Sequence, residues 1–97
     1  MNVRHLDRKL EHVERDTSYH ANLGPEVAKA FRKRMQFIRA AGDERDFHMM
    51  KSLHYEKLRG DREGQHSMRL NDQWRLVLRI EVAVGKTAVI IEVVDYH

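Results

Sequence analysis

Cysteine is absent from this chain, which rules out disulfides and thiolate metal sites and fits a reducing compartment. The longest strongly apolar run, Ala88-Val89-Ile90-Ile91, is far too short to span a bilayer. The opening Met1-Asn2-Val3-Arg4-His5-Leu6-Asp7 lacks the apolar stretch of a signal peptide. A soluble, cytoplasmic protein with no membrane partner is therefore expected. Internal repeats, low-complexity tracts and linker-like composition are also missing. No GxxxxGK[ST] phosphate loop occurs. No two of the seven histidines have the i,i+4 helical spacing of a metal site, and no carboxylate cluster accompanies them, so no metal or cofactor is expected.

What is present describes a small, charged domain. The 97 residues suffice for one core, so a single domain over 1–97 is expected. Hydrophobic residues make up 41% and charged residues 34%, giving a heavily solvated surface. A net charge of +3 and a pI near 9.4 attract polyanions, nucleic acid above all, and acidic proteins equally well.

The hydrophobic period divides the chain in two. Asn2 to Leu6 reads as a short edge strand. Leu6, Leu10 and Val13 recur at helical spacing, which predicts an amphipathic helix from Asp7 to Arg15. Pro25, the single proline, suits a helix's first turn. Behind it Val27, Phe31, Ile38 and Ala41 form an apolar stripe, widened by Met35, and Gly42 is a natural stop. Asp43 can cap a short helix from Glu44 to about Met50. After that the period drops to 2, and His66–Leu70, Trp74–Val82 and Lys86–Val94 read as three strands of a meander. On the middle strand Trp74, Leu76, Leu78, Ile80 and Val82 share the face packed on helices. Arg75, Val77, Arg79 and Glu81 share the candidate working face. The fold class is α+β, with N-terminal helices packed on a small, mainly antiparallel sheet.

Arg69 and Arg75 flank a short turn on neighbouring strands and could face each other across the pair. Like charges so placed are unfavourable unless an anion lies between them, and the guanidinium fork matches phosphate oxygens. His97 stands at a strand end near these arginines and titrates near neutrality, as acid or base work requires. Tyr96 adds a hydroxyl, and Asp95 could orient a neighbour or pair with an arginine. The triplet Asp95-Tyr96-His97 follows directly on an apolar strand and is expected to be held in place. Lys57, Arg59 and Arg62, around Gly60 and Gly64, suit a phosphate-contacting loop or a solvated hairpin loop. His54 and Glu56 could supply acid or base groups or be half-buried strand residues. His5, His12, His20 and His48 read as surface or packing residues. Lys29, Arg32, Lys33 and Arg34 form a basic helix face that could make phosphate contacts, hold an acidic partner or simply face solvent.

The segment 56–75, EKLRGDREGQHSMRLNDQWR, and the closing Val94-Asp95-Tyr96-His97 resemble the HigB branch of the RelE/ParE toxin superfamily. The strong match covers 53–97; residues 1–52 agree in architecture only. The resemblance implies a bacterial type II toxin with the RelE-like fold, tied to plasmid maintenance and growth arrest. It implies metal-independent cleavage of mRNA in the A site of the 70S ribosome. There the RNA 2′-hydroxyl attacks the adjacent phosphate, leaving a 2′,3′-cyclic phosphate and a 5′-hydroxyl. The implied partner is a cognate HigA-like helix-turn-helix antitoxin, through which operator DNA is reached.

By the same resemblance Arg75, after Trp74, is the phosphate-stabilising arginine, and Arg69, from its expected place across the strand pair, is read as sharing that role. By it His97, Tyr96 and Asp95 are also the C-terminal active-site triplet, and Arg59 stands where relatives carry a basic residue; Lys57, Arg62 and His54 are read beside it as substrate-binding candidates. Some relatives carry a histidine where Glu56 stands. His54, two positions earlier, could reach the same side by strand alternation, so the general base is open. The superfamily also holds non-enzymatic gyrase poisons, and an antitoxin-binding, operator-regulating module is a further alternative. Neither alternative needs His97 or Arg75.

Overall fold

The computed structural model describes residues 1–95; Tyr96 and His97, two members of the expected C-terminal triplet, lie outside the described residues. Strand β1 (Asn2–His5) leads into helix α1 (Arg8–Arg15), whose first turn is capped by Asp7, Oδ1 accepting from the Lys9 amide at 2.8 Å. Helix α2 (Pro25–Ala40) starts with Gly24 at φ 81° and Pro25 in its first turn. A short helix α3 (Arg45–Met49) and a 3-10 turn (Lys51–Leu53) then lead to strand β2 (Glu56–Lys57). After a second 3-10 turn (Gly60–Arg62) come β3 (His66–Arg69), β4 (Trp74–Ala83) and β5 (Gly85–Asp95). The sheet order is β1-β5-β4-β3-β2, with β1 parallel to β5 and the other pairs antiparallel. This is the expected α+β arrangement, with β1 on the edge. No helix among the described residues is long and apolar enough to cross a membrane.

The expected stripe on α2 is the centre of the core. Val27, Phe31, Met35, Ile38 and Ala41 are all buried, against Met68, Leu76, Leu78, Ala88 and Ile90 of the sheet. Leu10 and Val13 of α1 and Phe47 of α3 complete the layer. Helix α2 ends differently from the expectation that Gly42 would stop it in a left-handed cap. Ala41, in extended conformation, turns its amide to the Phe37 and Ile38 carbonyls, and Gly42 has no positive φ. The Gly42 amide instead donates to Asp46 at 2.8 Å, tying the end of α2 to α3.

A bulge sets the two faces of β5. Val77 pairs with Glu92 but Leu78 pairs with Ile90, so Ile91 is an extra residue in β5. Strict alternation would carry Glu92 to the same side as Ile90, into the helix layer. The bulge keeps Ile90 and Val93 against the helices and sends Glu92 to the arginine face.

Two cations of the helices hold the layers together. Arg32 donates from Nε to the Val13 carbonyl (2.7 Å) and from Nη2 to the carbonyls of Asp16 (3.1 Å) and Tyr19 (2.8 Å). It caps the C-terminal end of α1 and so leaves the basic helix face assigned to it from sequence. Glu14 of α1 accepts from Arg39 of α2 (2.6 and 2.9 Å) and meets His5 Nε2 of β1 (2.8 Å). Burial by itself pushes the Glu14 carboxyl up, but the hydrogen bonds and charges of Arg39 and His5 outweigh it and hold it below its usual value of 4.5.

A carboxylate with a depressed folded pKa stabilises the fold above its unfolded value, and that contribution disappears as pH falls through the lower folded value. Glu14→Gln should therefore flatten the acid limb of urea stability below about pH 4.5 while lowering stability at neutral pH. Phe31→Ala should cost about 3–5 kcal/mol in the same urea titrations. Val84→Ala, at the 99% exposed hairpin tip, should stay within about 0.5 kcal/mol of wild type.

Candidate active site

The expected arginine pair is present in the backbone register: Arg69 of β3 lies directly across from Arg75 of β4. Alternation places both on the face turned away from the helices, together with Ser67, Val77, Glu92 and Val94. The arrangement follows from the turn Asn71-Asp72-Gln73. Asn71 Oδ1 accepts from the amides of Gln73 (2.9 Å) and Trp74 (2.8 Å), an Asx-type turn that fixes the pairing beside it. Both arginines are half-buried. Arg69 Nε donates to the Asn71 carbonyl at 3.2 Å, and Nη2 pairs with Asp72, whose own side chain is 94% exposed. Arg75 Nη1 donates to the His54 carbonyl at 3.2 Å.

That contact revises the reading of His54. It is not a strand residue reaching a common side with Glu56, because β2 begins at Glu56. His54 closes the 3-10 turn in left-handed conformation, φ 47°. Its ring is exposed and its backbone oxygen is what meets Arg75. In β2, Glu56 lies opposite Ser67 and Lys57 opposite His66. Glu56 thereby shares the arginine face, and Lys57 points to the other side.

The loop after β2 folds over the arginine face. Gly60 and Gly64 take φ 69° and 85°, the left-handed conformations foreseen for the turn. Arg62 then donates to Gln65 Oε1 (3.0 Å) and to Glu92 Oε2 of β5 (2.9 Å). Since Glu92 sits opposite Val77, this strap crosses the face above Val77, which is only 2% exposed. Arg59 and Lys57 remain exposed and line a shallow hollow of about 420 Å³ with Gly60 and Glu63. Asp95, opposite Trp74, accepts from Gln73 Nε2 at 3.0 Å. Arg79 belongs elsewhere: it pairs with Glu81 (2.8 Å), which Arg4 of β1 also reaches (2.5 Å).

One cation of the basic helix face, Arg34, for which the sequence leaves phosphate contact, an acidic partner and plain solvation open, lies in this neighbourhood. Burial, and then the like charge of Arg69, hold the Arg34 guanidinium below the usual arginine value. The sequence carries part of that signal: Arg34 precedes the core residue Met35, at the margin of the buried stripe. Beneath β2, on the helix side, Tyr55 stacks on His66 (centroids 4.7 Å, planes 9°) and meets Phe47 and His48 edge-on. Burial, followed by the charges of His48 and Lys57, pushes His66 down from 6.5. His66 is thus a packing residue. Among the described residues no group of three or more His, Cys, Asp or Glu side chains is arranged to hold a metal ion.

The model of the HigB-like toxins, described as the RelE-like toxin of the type II toxin–antitoxin system HigB, matches residues 4–97. No curated protein matches the chain. Among solved structures the chain is similar to a YoeB/ParE toxin from Agrobacterium tumefaciens. The TM-score is 0.61 and the identity 17%, over 100% of this chain and 99% of that one. At that identity the likeness is one of fold: helices on one side of a mostly antiparallel sheet.

Burial, with a smaller push from Glu44, raises the Tyr55 phenol from 10.0 to about 12. The folded state therefore keeps its proton longer than the unfolded chain, and stability is lost as pH rises from 10 to about 12. Absorbance titration at alkaline pH should show a late tyrosine transition, absent from Tyr55→Phe.

Proposed function

Because this chain belongs to the HigB-like family of RelE-like toxins from type II toxin–antitoxin systems, we propose that it is a ribosome-dependent mRNA endoribonuclease. Membership of the family brings an antitoxin as partner. In this proposal the antitoxin is a HigA-like helix-turn-helix protein through which operator DNA is reached, and the toxin acts in the cytoplasm. The observation that carries the nuclease reading is the direct pairing of Arg69 with Arg75 on a rigid antiparallel sheet.

The reaction needs three things: a base for the 2′-hydroxyl, cations for the phosphorane and an acid for the leaving oxygen. The O2′–P bond forms as the P–O5′ bond breaks, giving a 2′,3′-cyclic phosphate and a 5′-hydroxyl. One proton leaves O2′ and one reaches O5′, and no metal ion is required. Arg75, anchored at the His54 carbonyl, and Arg69 would hold the non-bridging oxygens as charge builds on them. Arg69 can exchange its ion pair with the solvent-exposed Asp72 for a phosphate at small cost. His97 is assigned the acid or base role and Tyr96 a hydrogen bond to phosphate, with Asp95 orienting them. Arg59 on the outer loop would guide the RNA strand, while Arg62 and the His54 backbone shape the site's floor and edge; Lys57, turned to the other side of β2, would act only through its charge.

Induced expression of wild type should arrest growth and produce new in-frame 5′ ends on cellular mRNA. Arg75→Ala, Arg69→Ala and His97→Ala, at equal protein level, should each reduce cleavage by about 10²-fold or more. Growth arrest with intact mRNA would overturn the nuclease reading and favour a gyrase poison of the same fold. Absence of both arrest and cuts would point to a binding module.

A further inference from the structure

The sheet face that carries Arg69 and Arg75 has a second cationic centre at its other end. The register places Arg4 of β1 and Arg79 of β4 on either side of Val89 of β5, in one row across three strands. Val89 has no exposed surface although it lies on the side away from the helices, where the aliphatic stems of the flanking arginines can cover it. The next row toward the hairpin tip holds Asn2, Thr87 and Glu81. Glu81 is the one carboxylate in these two rows. A single oxygen of it, Oε2, accepts from Nη2 of Arg4 (2.5 Å) and from Nη2 of Arg79 (2.8 Å). The side chains of Arg4, Arg79 and Glu81 are 50%, 37% and 41% exposed, so the group is open to a ligand from solvent.

One carboxylate between two guanidinium groups leaves a positive charge over. Each guanidinium presents five N–H donors in a fixed fork, and Glu81 takes one from each. An oxygen gripped by two forks is also how a phosphate oxygen would be held, so Glu81 occupies the place of an anion. Exchanging it for phosphate costs little, because exposed ion pairs contribute little and both arginines stay paired. The forks are mounted on paired strands, and β4 carries Arg75 as well as Arg79. From Arg75 to Arg79 is four residues on the same face, a rise of about 13 Å. Between them stand Arg62 and Glu92, which neutralise each other across the face. The two centres are too far apart for one phosphate and are aligned for two phosphates of the same strand.

We propose that Arg4 and Arg79 form a distal phosphate subsite for the RNA strand cut at Arg69 and Arg75, and that Glu81 holds this subsite closed until RNA displaces it. The identity of the polyanion rests on the nuclease reading. An acidic protein segment also carries anions, but continuity with Arg75 along β4 favours the strand whose scissile phosphate is placed there. A phosphate contact positions a strand without reading its bases, so the subsite raises affinity for longer RNA of any sequence. Arg4 and Arg79 act on binding and register; neither touches the reacting atoms.

The test is equilibrium binding of the full chain to fully 2′-O-methylated RNA, which lacks the attacking hydroxyl and cannot be cleaved. A dinucleotide and a hexanucleotide are compared by fluorescence anisotropy over a salt series. Wild type should bind the hexanucleotide about tenfold or more tightly than the dinucleotide. Arg79→Gln and Arg4→Gln should each lose most of that advantage and lower the log–log salt slope for the hexanucleotide by about 0.7. Arg79→Lys should restore the slope. Glu81→Gln should tighten hexanucleotide binding about threefold or more, which removal of a merely structural ion pair would not do. Equal affinity for the two lengths, unchanged slopes in both glutamine variants, weaker binding by Glu81→Gln, or displacement of the hexanucleotide by a glutamate-rich peptide would each overturn the subsite. Mapping of cut mRNA keeps the two readings apart. Cleavage by a wild type whose binding shows none of these effects removes the subsite and leaves the nuclease; the expected binding without cleavage does the reverse.

Discussion

The pairing of β4 with β5, interrupted once between Val77 and Leu78, decides what each face of the sheet can do. Up to Ile90 the inward residues of β5 meet the helices; beyond the extra Ile91 the alternation is reset, so that Val93 goes inward and Glu92 outward. Without that reset a carboxylate would enter an apolar layer, where an unpaired charge is strongly disfavoured. With it, Glu92 becomes the anchor for Arg62, and Arg62 draws the glycine-punctuated loop over the face that carries Arg69 and Arg75. One inserted residue thus links the integrity of the core to the shape of the candidate site.

The cations divide by what they reach. Arg32 and Arg39 end on carbonyls and a carboxylate between α1 and α2, and Arg62 ends on Glu92; these arginines hold elements together. Arg69, Arg75 and Arg34 gather around the β3–β4 turn, where like charges are forced near one another. A fold tolerates such crowding when anions are the intended visitors, because each guanidinium keeps its charge at any physiological pH. In the proposed function, phosphate on the sheet face is the anion that would meet Arg69 and Arg75.

Much of this is legible in the residues. The α2 stripe, the single proline at its start, the β3–β5 boundaries to within about two residues, and the Arg69–Arg75 opposition all follow from local periodicity and turn chemistry. The motif in 56–75 identifies the family because its spacing is dense and unbroken, and the family model extends that identity over 4–97. Tertiary structure decided the remainder. Arg32 reads as a surface residue because nothing local announces that α1 ends against it. His54 reads as a strand residue because a left-handed residue ahead of β2 leaves no mark in a period of two. Sequence by itself determined the buried stripe of α2 and the antiparallel β3–β4–β5 meander, since both depend on local periodicity and short turns; the parallel pairing of β1 with β5 and the exposure of Val82, expected on the helix-packed face, do not. Where Glu92 points, what Arg62 grips and which cations crowd Arg34 depend on segments brought together from distant parts of the chain, and only the folded packing could settle them.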